Sequence, residues 1–485
     1  MAFSNVIPLS LLLAMCMNMA GAVNPGFVVR LTQKGLDYAR QEGMSVLQRE
    51  LAKVHIPDFS GSTHSPIGKI KYNFYGMAIR NFQLPISQIS PVPNVGLKLS
   101  ISGAFIEISG KWKIKTRIGI QFNGGFDVKV EGISISVGLK LGSDGAGRPT
   151  IAPSDCSCHI SNVNVHISGK FGYTSDHSNV NKKIPQNISP QICPLVKNAI
   201  TSKLAPLLQT LPVTAKIDKV AAIDYSLTGP PPVTAEYVDV QLKGEFFELS
   251  HHTPPPFTPP SLSLPADHNL MIYFGISDYL FNTAGFVYHS AGKLIFNVTD
   301  NMIPKDFSIR LNTSSFGTLI PQLAKMYPDM LMKLEITSTS APFLDIKPGN
   351  VTISPKMDIQ AYVILPNASL APAFLLNVTT NALAKVAVSS GRIVGSLELS
   401  RVQMDLKHSD VGPFSVALLN AAVNYYISHI LLPQVNDILQ KGYPLPLLDH
   451  LQLTDVVIEP RQNFLLFGAN VHYGITESNW SVELF

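Results

Sequence analysis

The sequence predicts an α+β protein of two similar domains, each a long helix packed in a curved antiparallel sheet, with a Pro-rich linker between them. Three observations carry this prediction. The 485 residues exceed one ordinary domain and suffice for two sizeable cores. Prolines cluster at mid-chain, in Gly229-Pro230-Pro231-Pro232 and Thr253-Pro254-Pro255-Pro256-Phe257-Thr258-Pro259-Pro260, a composition that favours extended, stiff connectors. Each half opens with a helical pattern, continues through alternating stretches, and returns through a second apolar helix.

In chain order, residues 6–22 form a compact apolar stretch ending in Ala20-Gly21-Ala22, which reads as a secretory signal peptide cleaved after Ala22, although its leader has no Lys or Arg. Val28, Leu31, Gly35, Ala39, Gly43, Leu47, Leu51 and Val54 then recur at three- and four-residue spacing, predicting a helix that stops before Pro57. Stretches such as Leu97-Lys98-Leu99-Ser100-Ile101-Ser102 and Gly132-Ile133-Ser134-Ile135-Ser136-Val137 alternate as half-buried antiparallel strands do. Ile192, Val196, Ala199, Ile200, Leu204, Leu207 and Leu208 predict the returning helix.

The second half matches. Residues 277–288 predict a helix with Ser277 placed to cap it. Leu419, Val423, Tyr426, Ile427, Ile430, Val435, Ile438 and Leu439 predict the return, kinked at Pro433. Residues 414–432 carry no Asp, Glu, Lys or Arg but include Ser415, Asn420, Asn424 and His429, so they read as an amphipathic, partly buried helix rather than a membrane span. A duplicated unit is the economical reading. The divisions are a signal over 1–22, a basic domain over 23–228, a linker over 229–262, a second domain over 263–474 and a tail over 475–485. His251 and His252 fall in the linker and read as a solvated pair.

Composition narrows the function. Only 14% of residues are charged while 46% are hydrophobic, and mean hydropathy is +0.19, so much apolar surface must be hidden. The net charge of +4 conceals an asymmetry: residues 23–220 carry 23 Lys and Arg against 11 Asp and Glu, a net +12, and residues 221–485 carry 14 against 22, a net −8. The basic half is drawn to anionic surfaces and the acidic half is not, so the molecule approaches such a surface end-on. Nucleic acid is the weaker partner, because no DNA- or RNA-binding motif is present. There is no Gly-x-Ser-x-Gly elbow and no His-Glu-x-x-His site, and no partner constellation joins the scattered histidines, so an enzyme is not expected.

Seven Asn-x-Ser/Thr sequons agree with secretion; Asn297, Asn312, Asn350, Asn367 and Asn377 are the expected glycosylation sites, and Asn187 and Asn479 the weaker ones. Cys16 leaves with the signal, so Cys156, Cys158 and Cys193 make one disulfide and one odd thiol. Cys156 and Cys158 share a strand face, and either could reach Cys193. A metal site from Cys156, Cys158 and His159 is disfavoured in an oxidising compartment.

Lys111, Lys113, Lys115 and Arg117 occupy every second position of Gly110-Lys111-Trp112-Lys113-Ile114-Lys115-Thr116-Arg117-Ile118, so a strand would project four cations from one face and Trp112, Ile114 and Ile118 from the other. Lys69 and Lys71 repeat the alternation. Such a surface suits an anionic amphiphile; the plainer alternative is a set of solvated edge lysines that block strand pairing.

Asn24-Pro25-Gly26, Gln33-Lys34-Gly35-Leu36-Asp37-Tyr38, Ile56-Pro57-Asp58-Phe59, Gly110-Lys111-Trp112-Lys113, Leu208-Gln209-Thr210-Leu211-Pro212-Val213, Asn301-Met302-Ile303-Pro304 and Asn463-Phe464-Leu465-Leu466-Phe467-Gly468-Ala469 together resemble the family of the bactericidal permeability-increasing and lipopolysaccharide-binding proteins. The resemblance runs from Asn24 to about Tyr473. It implies an elongated boomerang of two tubular domains joined by a central sheet, with a phospholipid bound in an apolar tunnel of each. It implies a secreted, antimicrobial, innate-immune protein, a monomer stored in granules or released, that binds lipid A of lipopolysaccharide on the Gram-negative outer membrane surface. Handing lipopolysaccharide to a host receptor and plasma phospholipid transfer are the alternative roles within the resemblance. The family's cationic tip maps onto Lys69, Lys71, Lys111, Lys113, Lys115, Arg117 and the turn carrying Arg148, and its disulfide onto Cys156 and Cys193. One stretch departs: where relatives have a basic, helix-forming segment, residues 173–185 are more polar and interrupted by Pro185.

Overall fold

The computed structural model describes residues 24–52, 56–65, 68–168, 189–190, 192–266, 269–305, 307–448 and 450–474. The expected signal, the departing stretch 173–185, the tail, Asn187 and Asn479 lie outside the described residues. The expected α+β class holds, with two sheet-and-helix units, a five-stranded sheet built from strands of both halves of the chain, and a small three-stranded sheet.

The chain enters through strand β1 (Phe27–Thr32) and passes directly into helix α1 (Gln33–Ala52). The helix expected to begin near Val28 therefore begins later. Val28 and Leu31 are strand residues, held by antiparallel pairing with Tyr237–Leu242 on one side and Ile272–Ser277 on the other. Three-residue spacing could not distinguish a strand running into a helix from one continuous helix.

Six antiparallel strands follow: β2 (Phe59–Ser65), β3 (Gly68–Gln83), β4 (Ile86–Val92), β5 (Gly96–Thr116), β6 (Gln121–Ser143) and β7 (Pro149–Ser168). They lie in the order β2-β3-β5-β6-β7, with β4 also beside β5. β5 and β6, at 21 and 23 residues, are far longer than the usual strand of about 5–6. Such length needs curvature, and the pairing of β5 with β6 shifts register on both sides of Ala104. The extra residues fall at Gly103 (φ 67°) and Gly132 (φ 62°), left-handed positions that favour glycine and raise local twist. The concave face carries Ile106, Ile108, Trp112, Phe126, Val128 and Val130. Against it pack Leu36 of α1 and Ile192, Val196 and Ile200 of helix α2 (192–208).

The second unit repeats this plan. Strand Ile272–Ser277 runs into helix α3 (Asp278–Ser290) as β1 runs into α1, and these two strands are antiparallel neighbours, Val29 opposite Phe274. In both cases the last strand residue caps the helix: the Thr32 hydroxyl accepts from Gly35 N at 3.4 Å and the Ser277 hydroxyl from Tyr279 N at 3.2 Å. Ser277→Ala should lower stability by about 1 kcal/mol, read as a fall in the urea midpoint, with lipid binding unchanged. An unchanged midpoint would mean the cap contributes nothing. Strands Met332–Ser338, Lys356–Ile364, Leu370–Ser389 and Arg392–Ser409 then enclose helix α4 (Val416–Lys441), which buries Leu419, Val423, Tyr426, Ile427 and Ile430. Although α4 is long and apolar enough to cross a membrane, it is the partly buried helix the sequence predicts: residues up to Leu431 pack on the sheet, while none of Leu432–Lys441 is buried.

Both returning helices deform alike. Each widens into a five-residue π-turn, Ile200–Leu204 and Ile427–Leu431, and in each the second residue after that turn is proline, Pro206 or Pro433. A proline lacks the N–H for an i→i−4 bond and crowds the carbonyl there. The wider turn bonds Ala205 N to Ile200 O and Leu432 N to Ile427 O, so the helix continues past the proline. Ile200-Thr201-Ser202-Lys203-Leu204-Ala205-Pro206 and Ile427-Ser428-His429-Ile430-Leu431-Leu432-Pro433 are two copies of one local solution.

The central sheet runs Tyr237–Leu242, β1, Ile272–Ser277, Phe464–Tyr473, Leu451–Arg461. Residues 229–262, expected as a stiff connector, supply Tyr237–Leu242 to this sheet and Glu245–Glu248 to a small neighbouring one. His252 is not simply solvated, since its ring stacks on Phe247 at 4.7 Å.

Candidate functional site

β5 alternates as its sequence requires. Lys111, Lys113 and Lys115 are exposed while Trp112 is buried, its indole Nε1 donating to Gly125 O at 2.9 Å. The strand ends at Thr116, which accepts from Gly119 N at 3.1 Å through its carbonyl and from Ile120 N at 3.1 Å through its hydroxyl. Arg117 therefore belongs to the turn leading into β6. Ile118, assigned to the buried face by alternation, is 81% exposed at this tip, and Ile120 is 49% exposed. The period of two lapses where the strand stops.

Register gathers the remaining cations. Lys71 of β3 stands directly opposite Lys115, and Asn73 opposite Lys113. On β2, Ser62 faces Lys71 and His64 faces Lys69. On β6, Gln121 faces Lys115 and Asn123 faces Lys113. Opposed like charges are destabilising in a sheet, and no acid relieves them: among the described residues Lys69, Lys71, Lys111, Lys113, Lys115 and Arg117 form no ion pair. A concavity of about 440 Å³ opens here, lined by Lys71, Lys113, Lys115, Ser60, Ser62, Tyr72 and Asn73. The hydroxyl and amide lining escaped the sequence reading, although Asn73 continues the Lys69, Lys71 alternation.

Arg148 is not brought to this cluster. It follows β6, whose 23 residues, roughly 75 Å of extended chain, separate it from the tip. In that turn Arg148 N donates to Asp144 Oδ1 at 2.8 Å, and Gly147 O accepts from Leu227 N at 2.8 Å, towards the middle of the molecule.

Cys156 on β7 is bonded to Cys193 in α2, with Cα atoms 5.8 Å apart. Cys158 is free and half-buried; burial pushes its thiol above the ordinary value and a Ser189 hydrogen bond draws it partly back, so it is protonated at neutral pH and a poor nucleophile. Among the described residues no three His, Cys, Asp or Glu side chains are grouped to hold a metal ion. Of the sequons, Asn297, Asn350 and Asn367 are exposed. Asn312 is half-buried and caps a short helix, accepting from Ser315 N at 2.7 Å, and Asn377 donates to Asp358 Oδ1 at 3.0 Å within the sheet.

Residues 35–210 match the model of the LBP / BPI / CETP family N-terminal domain, and residues 215–473 that of its C-terminal domain. The chain belongs to the LBP / BPI / CETP family. Within this family it is 44% identical to the lipopolysaccharide-binding protein of Homo sapiens over 96% of this chain and 97% of that one. It is 41% identical to the bactericidal permeability-increasing protein of Rattus norvegicus over 94% and 95%. A crystal structure of lipopolysaccharide binding protein superimposes with a TM-score of 0.63 at 42% identity, covering 93% of this chain and 100% of that one. The expected family and fold are thereby established.

Proposed function

We propose that this chain is a secreted innate-immune protein that binds the lipid A part of lipopolysaccharide at its N-terminal tip and acts on Gram-negative bacteria. The observation that carries the reading is the unpaired Lys71/Lys115 ladder beside an exposed Ile118. Cations meet the phosphates while the isoleucines enter the acyl layer. The family relatives named for lipopolysaccharide binding and bactericidal action support the ligand class. The role is binding without catalysis. The chain works as a monomer, with one phospholipid held against the apolar inner face of each domain, and its exposed sequons carry sugar over the C-terminal half.

The test titrates labelled lipopolysaccharide and neutral phosphatidylcholine vesicles at low and physiological salt, with wild type and Ile118→Ser. Lipopolysaccharide should bind tightly and weaken steeply with salt, while neutral vesicles bind weakly and without salt dependence. Losing one inserted isoleucine, about 1.5–3 kcal/mol when fully buried, should weaken lipopolysaccharide binding about tenfold or more. Equal, salt-insensitive binding to both would remove endotoxin as ligand and leave neutral phospholipid transfer.

A further inference from the structure

A second concavity of about 510 Å³ lies on the same outward face of the N-terminal sheet, lined by Arg80, Glu107, Asp127, Lys129, Asn164 and His166 above buried Ile108 and Val128. It continues the tip surface. Between residues 105 and 116 the odd positions of β5 point outward without interruption, so Glu107 and Ser109 share the face of Lys111, Lys113 and Lys115. Ser109 is four residues from Lys113, about 13 Å along the strand. Across the sheet, Ser109 faces Asp127, which faces His166, and Glu107 faces Lys129, which faces Asn164.

The chemistry of the two concavities differs. The tip is cationic throughout, whereas this groove mixes signs: Lys129 is paired with Glu131 at 2.8 Å, whose carboxylate also accepts from Asn164 Nδ2 at 3.2 Å, and Arg80 stands among Glu107 and Asp127, an acidic excess of one when His166 is neutral. Arg80 Nε donates to Ser109 Oγ at 2.6 Å, which fixes the guanidinium and leaves its terminal N–H groups to the groove. Among the described residues Arg80, Asp127 and His166 form no ion pair. Interspersed donors and acceptors with a slight acidic excess suit neighbouring hydroxyls rather than a polyanion.

We infer that this groove is a saccharide-binding subsite, holding the sugar chain that extends from the phosphorylated headgroup at the tip. The inference rests on the reading of the tip for its ligand's continuity, and its test is separable from that reading. One arm measures binding of core oligosaccharide, freed of lipid A and dephosphorylated, by saturation-transfer NMR. The other compares the affinities of lipid A and of core-bearing lipopolysaccharide. Wild type should bind the free oligosaccharide and should prefer core-bearing lipopolysaccharide to lipid A about tenfold, as one or two net hydrogen bonds would give. Arg80→Ala/Asp127→Ala should abolish the oligosaccharide signal and the preference while leaving lipid A binding intact; Asp127→Asn should weaken both in part. Lys113→Ala/Lys115→Ala should weaken lipid A binding about thirtyfold at low salt while leaving the oligosaccharide signal intact. No oligosaccharide signal in wild type, or a signal lost only in the lysine variant, would overturn the subsite whatever the tip binds. Failure of lipid A binding alone would count against the tip and not against the groove.

Discussion

Replacing Lys69, Lys71, Lys111, Lys113 and Lys115 together by alanine should lower lipopolysaccharide affinity by roughly three to four orders of magnitude at low ionic strength. Each lysine near an anionic surface contributes about 1 kcal/mol, and about 1.4 kcal/mol is a factor of ten. The deficit should shrink at physiological salt, where the screening length falls to about 8 Å. A folding defect would not mimic this outcome, because Lys71 opposes Lys115 across the ladder and the cluster has no carboxylate partner among the described residues. Removing the charges relieves repulsion, so the variant should be at least as stable as wild type. Its affinity for neutral vesicles should not change. A variant that keeps wild-type affinity for lipopolysaccharide would reduce the ladder to solvated edge lysines.

Much of this site was legible because the sheet imposes its period on the sequence. Lys111, Trp112 and Lys113 could be assigned to faces without knowing any partner strand. What escaped was set by partners distant in sequence or by strand ends. That Lys71 faces Lys115 depends on the register between β3 and β5, which the alternation within each strand does not fix. Ile118 was misplaced because alternation was carried past Thr116, where the turn begins. Arg148 was grouped with the tip by resemblance, yet the length of β6 carries its turn to the other end of the sheet. The helical spacing of Val28 and Leu31 misleads because their strand character rests on residues more than 200 positions away.

The repeat is legible in outline, and packing fixes its physical detail. A strand whose last hydroxyl caps the helix that follows, a glycine-bulged sheet in the N-terminal half, and a returning helix widened ahead of a proline are local devices. Each serves to wrap a sheet around apolar helices. The two halves differ in charge, net +12 against −8. A common scaffold can thus present one face to an anionic surface while the other half stays away from it.

Arg30→Met should destabilise the protein by about 3–5 kcal/mol, the usual loss when one member of a buried ion pair is removed. Arg30 is 4% exposed on β1 and bonds both Asp239 oxygens, at 2.7 and 2.8 Å. It also donates to Pro265 O at 2.9 Å and lies 3.6 Å above the Tyr237 ring. One side chain therefore ties the first strand of the chain to strand Tyr237–Leu242 and to the segment following the proline run. The variant leaves the Asp239 carboxylate desolvated and frees that segment together. The double change Arg30→Met/Asp239→Leu removes both charges and should recover much of the loss, as apolar replacement of buried pairs often does. Urea unfolding followed by circular dichroism measures both, and adding the single variant Asp239→Leu closes a cycle that isolates the pairing energy. Lipopolysaccharide binding at the tip should be retained under native conditions, since the pair lies in the central sheet. If the single variant unfolds at the wild-type midpoint, water reaches Asp239 freely, and the proline segment is held by Leu262 and Leu264 packing on the sheet instead.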